Sequence, residues 1–358
     1  MTLSEHRKAI DKLDAQLVRL LNGRTEHVLQ IGEIKVKAGE AIYVPHRERV
    51  ILQRICKLNQ GPIKDESLGA IYREIMSSAL ALQKSMTVAY LGPEATFTHQ
   101  AAVQRFGSSL RYTAQKTIAD IFAEVGKNRA EYGVVPVENS TEGVVTHTLD
   151  MFVDSNLRIV AQIILPIQYC LAGEARLKDV QRLYVHPQAL AQCRLWVQRN
   201  LPKAEILETS SNARSAELAG QPDTTLRGKT AAITGLLAAQ KYNLKIIERD
   251  IQDISDNATR FLVLGRQCGP ATGRDRTSVM FSIADKVGAL YHALSPFRRF
   301  KLNMTKIESR PSKRKAWEYF FFVDCDGHYT DPKVAKAIAG LEEACNFVKV
   351  LGSYPNGE

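Results

Sequence analysis

A chain of 358 residues with 45% hydrophobic content can bury large cores and should divide into two or three domains. The polar, amphipathic N-terminus and the lack of any apolar run near membrane-spanning length argue against a secretory leader and a membrane protein, and predict a cytoplasmic chain. The net charge of +10 is spread over all thirds of the chain, which suits several small-anion sites better than nucleic acid, and the six scattered cysteines lack any CxxC pair and read as reduced thiols.

From Leu3 to Ala38 apolar residues recur at helical spacing, among them Ile10, Leu13, Leu17, Leu20, Val28 and Ile31, which predicts one long amphipathic helix. Further helices are expected over Pro45 to Leu58 and Asp65 to Lys84, separated by the breaker Asn59-Gln60-Gly61-Pro62. The first helix would span roughly 50 Å, more than two shorter partners can cover, so it should pair with another chain. Arg24 and Lys35 lie eleven residues apart on one helix face, where they can grip one dianion. Arg7 lies roughly 25 Å from Arg24 along the axis, so both reach one small molecule only in an antiparallel dimer.

These cations, with Arg47-Glu48 and Gln83, resemble position by position the pattern of the all-helical chorismate mutase family. The resemblance implies an intertwined homodimer, or a higher homo-oligomer, whose pocket takes its first arginine, Arg7, from the partner chain. It implies that Arg7, Arg24, Lys35, Arg47, Glu48 and Gln83 bind chorismate, with Lys35, Glu48 and Gln83 as catalytic groups. Two further pocket positions depart from the family: Val44 stands where an acid can occur and Ala79 where a serine can. Both changes should weaken hydroxyl contacts while leaving the charge clamp intact.

After Met86 the pattern turns to strand, with Val88 to Leu91 running into the turn Gly92-Pro93-Glu94-Ala95 and then a helix. More strands are expected near 110–112, 132–136, 157–167, 182–185, 204–207, 230–233 and 261–264. Their alternation with helical runs predicts an α/β fold with a largely parallel sheet. Leu165-Pro166-Ile167-Gln168 reads as a crossing into a second lobe and Ile251 to Asn257 as the return, so two lobes should frame a cleft.

The densest polar stretch is GVVPVENSTEGVVTHT, Gly133 to Thr148, a buried strand that empties into a loop at the strand end where α/β sheets collect ligands. It resembles the prephenate dehydratase family, which carries a VPxENSxxG signature here. The turn at Gly92 resembles that family's GPxGTF motif, with Ala95 where glycine is usual, and the run from Ile251 to Phe261 matches IxDxxxNxTRF. The resemblance implies that Thr259 is catalytic and that Thr96, Thr98, Asn139 and Ser140 hold the substrate's carboxylates beside Arg260 and Phe261. Loss of carbon dioxide and hydroxide from prephenate makes an aromatic ring and runs downhill, so only the leaving hydroxyl needs help. A threonine hydroxyl can hydrogen-bond that oxygen as charge develops, with Glu138 as an alternative proton source. His186-Pro187-Gln188 reads as structural.

From Thr277 the order strand, helix, strand, strand, helix, strand predicts a ferredoxin-like unit. Gly288-Ala289-Leu290 and Glu308-Ser309-Arg310-Pro311 resemble the two motifs by which regulatory ACT domains of this family bind L-phenylalanine. The basic cluster Arg310 to Lys315 carries a proline and a serine and reads as a solvated loop. The expected organisation is therefore an all-α intertwined helical dimer (1–86), a two-lobed α/β domain resembling periplasmic-binding-protein folds (87–267) and an α+β ACT domain (278–355). The resemblances together imply conversion of chorismate to prephenate and of prephenate to phenylpyruvate, with feedback by L-phenylalanine and no metal or organic cofactor. An arogenate-preferring dehydratase and a non-catalytic aromatic amino-acid sensor remain as alternatives.

Overall fold

The computed structural model describes residues 2–39, 45–221, 228–313 and 318–356, and the chain divides into two compact units. Val44, one of the expected pocket positions, lies outside the described residues, as do Arg314 and Lys315. The first unit, through Thr87 with Phe106–Arg111, consists of α1 (Leu3–Ala38), α2 (Pro45–Leu58) and α3 (Asp65–Gln83) plus that short segment. A capping box starts α1, the Thr2 hydroxyl accepting from the Glu5 N–H and Glu5 accepting from the Thr2 N–H. Gly39 ends it in the left-handed conformation at φ 69°. Only Gly32 of α1 is buried, and Leu13, Leu17 and Leu20 stay 56%, 55% and 70% exposed, so the apolar stripe finds no cover among the described residues. No helix among the described residues is long and apolar enough to cross a membrane.

The second unit holds three sheets. The first lobe is built on β1 (Thr87–Leu91), β2 (Arg111–Gln115), β3 (Tyr132–Asn139), β4 (Gly143–Val144), β5 (Arg158–Pro166) and a late strand, β11 (Ala258–Gly265), in the order β2-β1-β3-β11-β5 with β4 on β3. The second lobe orders β6 (Cys170–Gly173), β7 (Arg182–Val185), β8 (Glu205–Glu208), β9 (Thr230–Thr234) and β10 (Lys245–Glu248) as β10-β6-β9-β7-β8. The expectation of a largely parallel sheet fails, because both sheets are mixed: β11 runs antiparallel to β3 and β5, and β6 antiparallel to β9 and β10. The reason is the connection. The chain leaves the first lobe after β5, builds the second, and returns as β11 between β3 and β5, so the crossing and return segments lie side by side, with the Ile167 N–H donating to Asn257 and the Ile251 N–H to Tyr169. Sequence periodicity missed β6, buried on both faces and so without alternation, and β10, which offers only two apolar residues.

The third sheet comprises β12 (Asp275–Ser282), β13 (Met304–Pro311), β14 (Tyr319–Asp326) and β15 (Phe347–Pro355), antiparallel throughout in the order β13-β14-β12-β15. With helices Ala289–Arg299 and Pro332–Ala344 it forms the expected βαββαβ unit. Strand alternation divides its core. Val279, Phe281, Val323 and Cys325 face the two helices, while Met280, Phe320, Phe322, Leu351 and Tyr354 join one apolar cluster with Val137, Leu149, Phe152 and Ile159 of the first lobe. At about 1.5 to 3 kcal/mol per large side chain, that shared layer welds the third sheet to the first lobe. The basic cluster is also placed differently from the expectation, since β13 runs through Pro311 and both Arg310 and Lys313 pair with Asp150.

Candidate active sites

In the helical unit, Arg24 and Lys35 of α1, Arg47 and Glu48 of α2, and Ala79 and Gln83 of α3 line one cavity of about 320 Å³. Three helices converge there because Arg24 and Lys35 share one face of α1. Val28, Ile31, Ile51 and Leu80 supply apolar walls between the polar groups. One Arg24 guanidinium nitrogen, Nη1, is fully buried with no hydrogen-bond partner among the described residues. A buried, unpaired N–H is costly, and an anion entering the cavity would relieve it. Gln83 is fixed by its amide, whose Nε2 donates to the Val28 carbonyl at 2.5 Å. Arg7 is exposed near the start of α1 and does not line this cavity. Sequence reasoning missed Arg54, which lines an adjoining cavity with Arg24, Arg47 and Tyr72. Its signal was present, because seven residues separate it from Arg47 and bring it back to the same face of α2.

In the two-lobed unit, Asn139 at the end of β3 lies in register with Thr259 of β11. The Asn139 Nδ2 donates to the Thr259 Oγ1 at 2.8 Å and to the Asn257 Oδ1 at 2.9 Å. Its Oδ1 accepts from the Thr141 N–H, the Thr141 hydroxyl and the Glu142 N–H, which fixes the amide's orientation. Thr259 is therefore an acceptor toward Asn139, and its own O–H proton remains for a substrate oxygen. Both side chains are nearly buried. Gln192, which sequence reasoning also missed, reaches from the second lobe, donating to Thr141 and Glu142 and accepting from the Asn257 Nδ2 at 2.7 Å. Nothing local in the sequence marks it, since its partners lie fifty and sixty-five residues away.

Other expected residues serve the frame. The Ser140 hydroxyl accepts from the Ala258 N–H at 3.0 Å, tying the loop to the return strand. The Thr96 hydroxyl donates to the Leu91 carbonyl, Thr98 is buried, and Phe261 is packed in the sheet at 2% exposure. His186 caps the helix Pro187–Gln192 through its Nδ1, in keeping with a structural role. Ala95, where the family prefers glycine, sits at φ 66°, and its N–H donates to the His99 Nδ1 at 3.1 Å.

Glu138 and Arg260 lie beside Asn139 and Thr259 in sequence but on the other face of the sheet, away from the expected cleft contacts, because successive strand residues alternate. The Lys306 Nζ donates to Glu138 at 2.7 Å. Arg260 donates to Asp324 at 2.7 Å, to the Tyr354 hydroxyl at 2.7 Å and to Gln162 at 3.0 Å, and Ser278 bridges Asp324 and Tyr354. Burial alone would lower the pKa of Arg260, but Tyr354 and Asp324 outweigh it and hold the guanidinium above its ordinary value. Burial, with Asp324 beside it, pushes Tyr354 up to about 12. Four of these groups, Lys306, Asp324, Tyr354 and Ser278, belong to the third sheet.

In that sheet Gly288 takes φ 76° at the start of the helix Ala289–Arg299, a left-handed conformation that glycine adopts without strain. Ala289 is buried and Leu290 packs on the helical side of the sheet. On the edge strand β13, Glu308 and Arg310 share the face of Lys306, whereas Ser309 is exposed on the other.

Family patterns match in the same order: chorismate mutase type II over residues 6–84, prephenate dehydratase over 88–269 and ACT domain over 277–343. The chain is 48% identical to a bifunctional chorismate mutase/prephenate dehydratase of Aquifex aeolicus (strain VF5), across 99% of this chain and 98% of that protein. A protein of the same description from Neisseria gonorrhoeae is 43% identical over 99% and 97%. Among solved structures, a prephenate dehydratase from Arthrobacter aurescens in complex with L-Phe matches with a TM-score of 0.70 and 36% identity, covering 76% of this chain and 90% of that one.

Proposed function

The chain belongs to the family of bifunctional chorismate mutase/prephenate dehydratases, and we propose how its side chains divide the two reactions. In the helical pocket Arg24 and Arg47 take the carboxylates of chorismate, with the partner's Arg7 completing the clamp in a cytoplasmic homodimer or higher homo-oligomer. The uncovered apolar stripe of α1 supports that pairing. The rearrangement is unimolecular, so the protein's contribution is to hold the reactive conformer and to stabilise charge at the ether oxygen as its bond breaks. Lys35 and the free N–H of the Gln83 amide supply that stabilisation, with Glu48 beside them.

In the cleft, the bond from Asn139 to Thr259 is the observation that carries the assignment. As the bond to the departing carboxylate breaks, its electron pair enters the ring and expels the hydroxyl oxygen. The Thr259 O–H, turned outward by Asn139, donates to that oxygen. Asn139, Ser140, Thr96 and Thr98 shape the surrounding polar wall. Glu138 and Arg260 act from behind, as the link to the ACT sheet. L-Phenylalanine bound by Gly288-Ala289-Leu290 and Glu308-Ser309 favours one placement of β13, and Lys306 on that strand carries the difference to Glu138, next to Asn139. Purified protein fed chorismate should release prephenate and then phenylpyruvate, with L-phenylalanine slowing the second step. Chorismate consumed without phenylpyruvate would overturn the cleft assignment.

A further inference from the structure

We propose that Gly32 is a positioning residue of the mutase pocket, whose missing side chain lets Gln83 lie against α1 and aim its amide at the substrate. This rests on the reading of Gln83 as a donor to the ether oxygen. Glycine in the interior of a long helix is disfavoured against alanine, so its presence asks for a reason. Gly32 is the only buried residue of α1, and a Cβ there would meet Gln83 at 3.0 Å from Cγ, 3.1 Å from Cδ and 3.3 Å from Nε2. Beyond the helix's own backbone, the three nearest atoms among the described residues all belong to Gln83, which fills the room left by Gly32.

The same position opens the acceptor that orients the amide. Side chains on a helix lean toward its N-terminus and cover the turn before their own Cα, so a side chain at position 32 would stand over the Val28 carbonyl. That carbonyl already pairs with the Gly32 N–H in the helical pattern, and its second lone pair receives the Gln83 Nε2. One amide N–H is thereby tied down and the other is left for a ligand. Alanine at 32 would push Gln83 by a few tenths of an ångström and screen its anchor, and small misplacements of a donor are expensive in catalysis.

The test uses the full chain, with helical circular dichroism and Tm reporting on the folding of the helical unit. Gly32→Ala should lower mutase kcat roughly tenfold with KM nearly unchanged, because an interaction made in the transition state is lost. Its Tm should not fall, since alanine favours the helix. Gly69→Ala, on α3 with nothing within 4 Å of the added Cβ, should leave both activities unchanged. In a Gln83→Ala background, Gly32→Ala should cost nothing more. An equal loss in that background would show that Gly32 acts through something other than Gln83, and full mutase activity in Gly32→Ala would show that the space is dispensable. Full activity in Gln83→Ala alone would remove the reading of Gln83 and the proposal with it.

Discussion

The helical pocket gathers residues from three helices, most of them a turn or more apart, whereas the candidate dehydratase site is built on two antiparallel strands where immediate neighbours face opposite ways. On a helix, spacing selects one face, so Arg24 and Lys35 or Arg47 and Arg54 arrive together. On a strand, adjacency separates, so one short motif serves two faces. Asn139 and Thr259 meet on one face of the sheet while Glu138 and Arg260 are held by Lys306, Asp324 and Tyr354 on the other. A contiguous run of sequence thus carries both the contact we propose as catalytic and the one we propose as regulatory.

The buried back face is where the comparison breaks most readily. Asp324→Asn strips the carboxylate from a guanidinium that is only 10% exposed. Breaking a buried pair costs about 3 to 5 kcal/mol, and at about 2 to 4 °C per kcal/mol the Tm of the two-lobed unit should drop by roughly 10 °C. A calorimetric shift under about 2 °C would mean that Arg260 is not locked to the ACT sheet.

On the cleft face, Thr259→Ala should slow phenylpyruvate formation about 10²- to 10³-fold, the usual cost of one donor to a developing oxyanion. Chorismate consumption should stay near wild type and prephenate should accumulate. Equal loss of both activities would merge two sites that the fold keeps on separate units. In the helical pocket, Arg7→Ala and Arg24→Ala should each lose mutase activity by on the order of 10²-fold. Mixed and allowed to exchange, they should recover about a quarter of the wild-type rate, because half the dimers would be mixed and each would keep one intact pocket. Heterodimers without recovery would confine both arginines to one chain.

The helices, the βαββαβ unit and most strands were legible because period 3.6 and period 2 leave marks within a few residues. Spacing also showed that Arg24 and Lys35 share a face, and motif drew attention to Thr259, which lies bonded to Asn139. Gln192, bridging Thr141, Glu142 and Asn257, was not, because its meaning arises only when the chain returns as β11. The direction of Glu138 and Arg260 was half legible. Alternation required them to oppose Asn139 and Thr259, but the sequence could not say that an ACT sheet lay there.

Lys306→Ala sharpens the contrast from the regulatory side. Basal phenylpyruvate formation should change little, since the Lys306–Glu138 pair lies off the cleft. Inhibition by L-phenylalanine should weaken by a coupling of about 1 to 3 kcal/mol, or roughly 5- to 150-fold. Glu138→Gln should behave likewise. A collapse of basal activity in Glu138→Gln, with inhibition intact in Lys306→Ala, would return Glu138 to the chemistry.

The smallest effect expected concerns the turn at Ala95, where a strand-end site depends on a histidine rather than on a residue of either motif face. His99 accepts the Ala95 N–H through Nδ1 and stacks on Tyr90 at a ring separation of 4.4 Å. Burial lowers its pKa below the ordinary 6.5, outweighing Glu94, which raises it, and Lys241 lowers it further. The unfolded chain therefore takes up the proton first as pH falls, and stability declines with it. The histidine's contribution is complete above about pH 6.5 and is lost as pH falls through the lower folded value, where protonated Nδ1 can no longer accept. Tm measured at pH 7.5 and 5.5 should fall more for wild type than for His99→Ala, which lacks the titrating group. Equal falls would mean that the acid sensitivity between these pH values does not come from His99, nor from Asp150, whose pKa Lys313 and Arg310 hold down against the upward pull of burial and whose contribution is lost only below about pH 3.8.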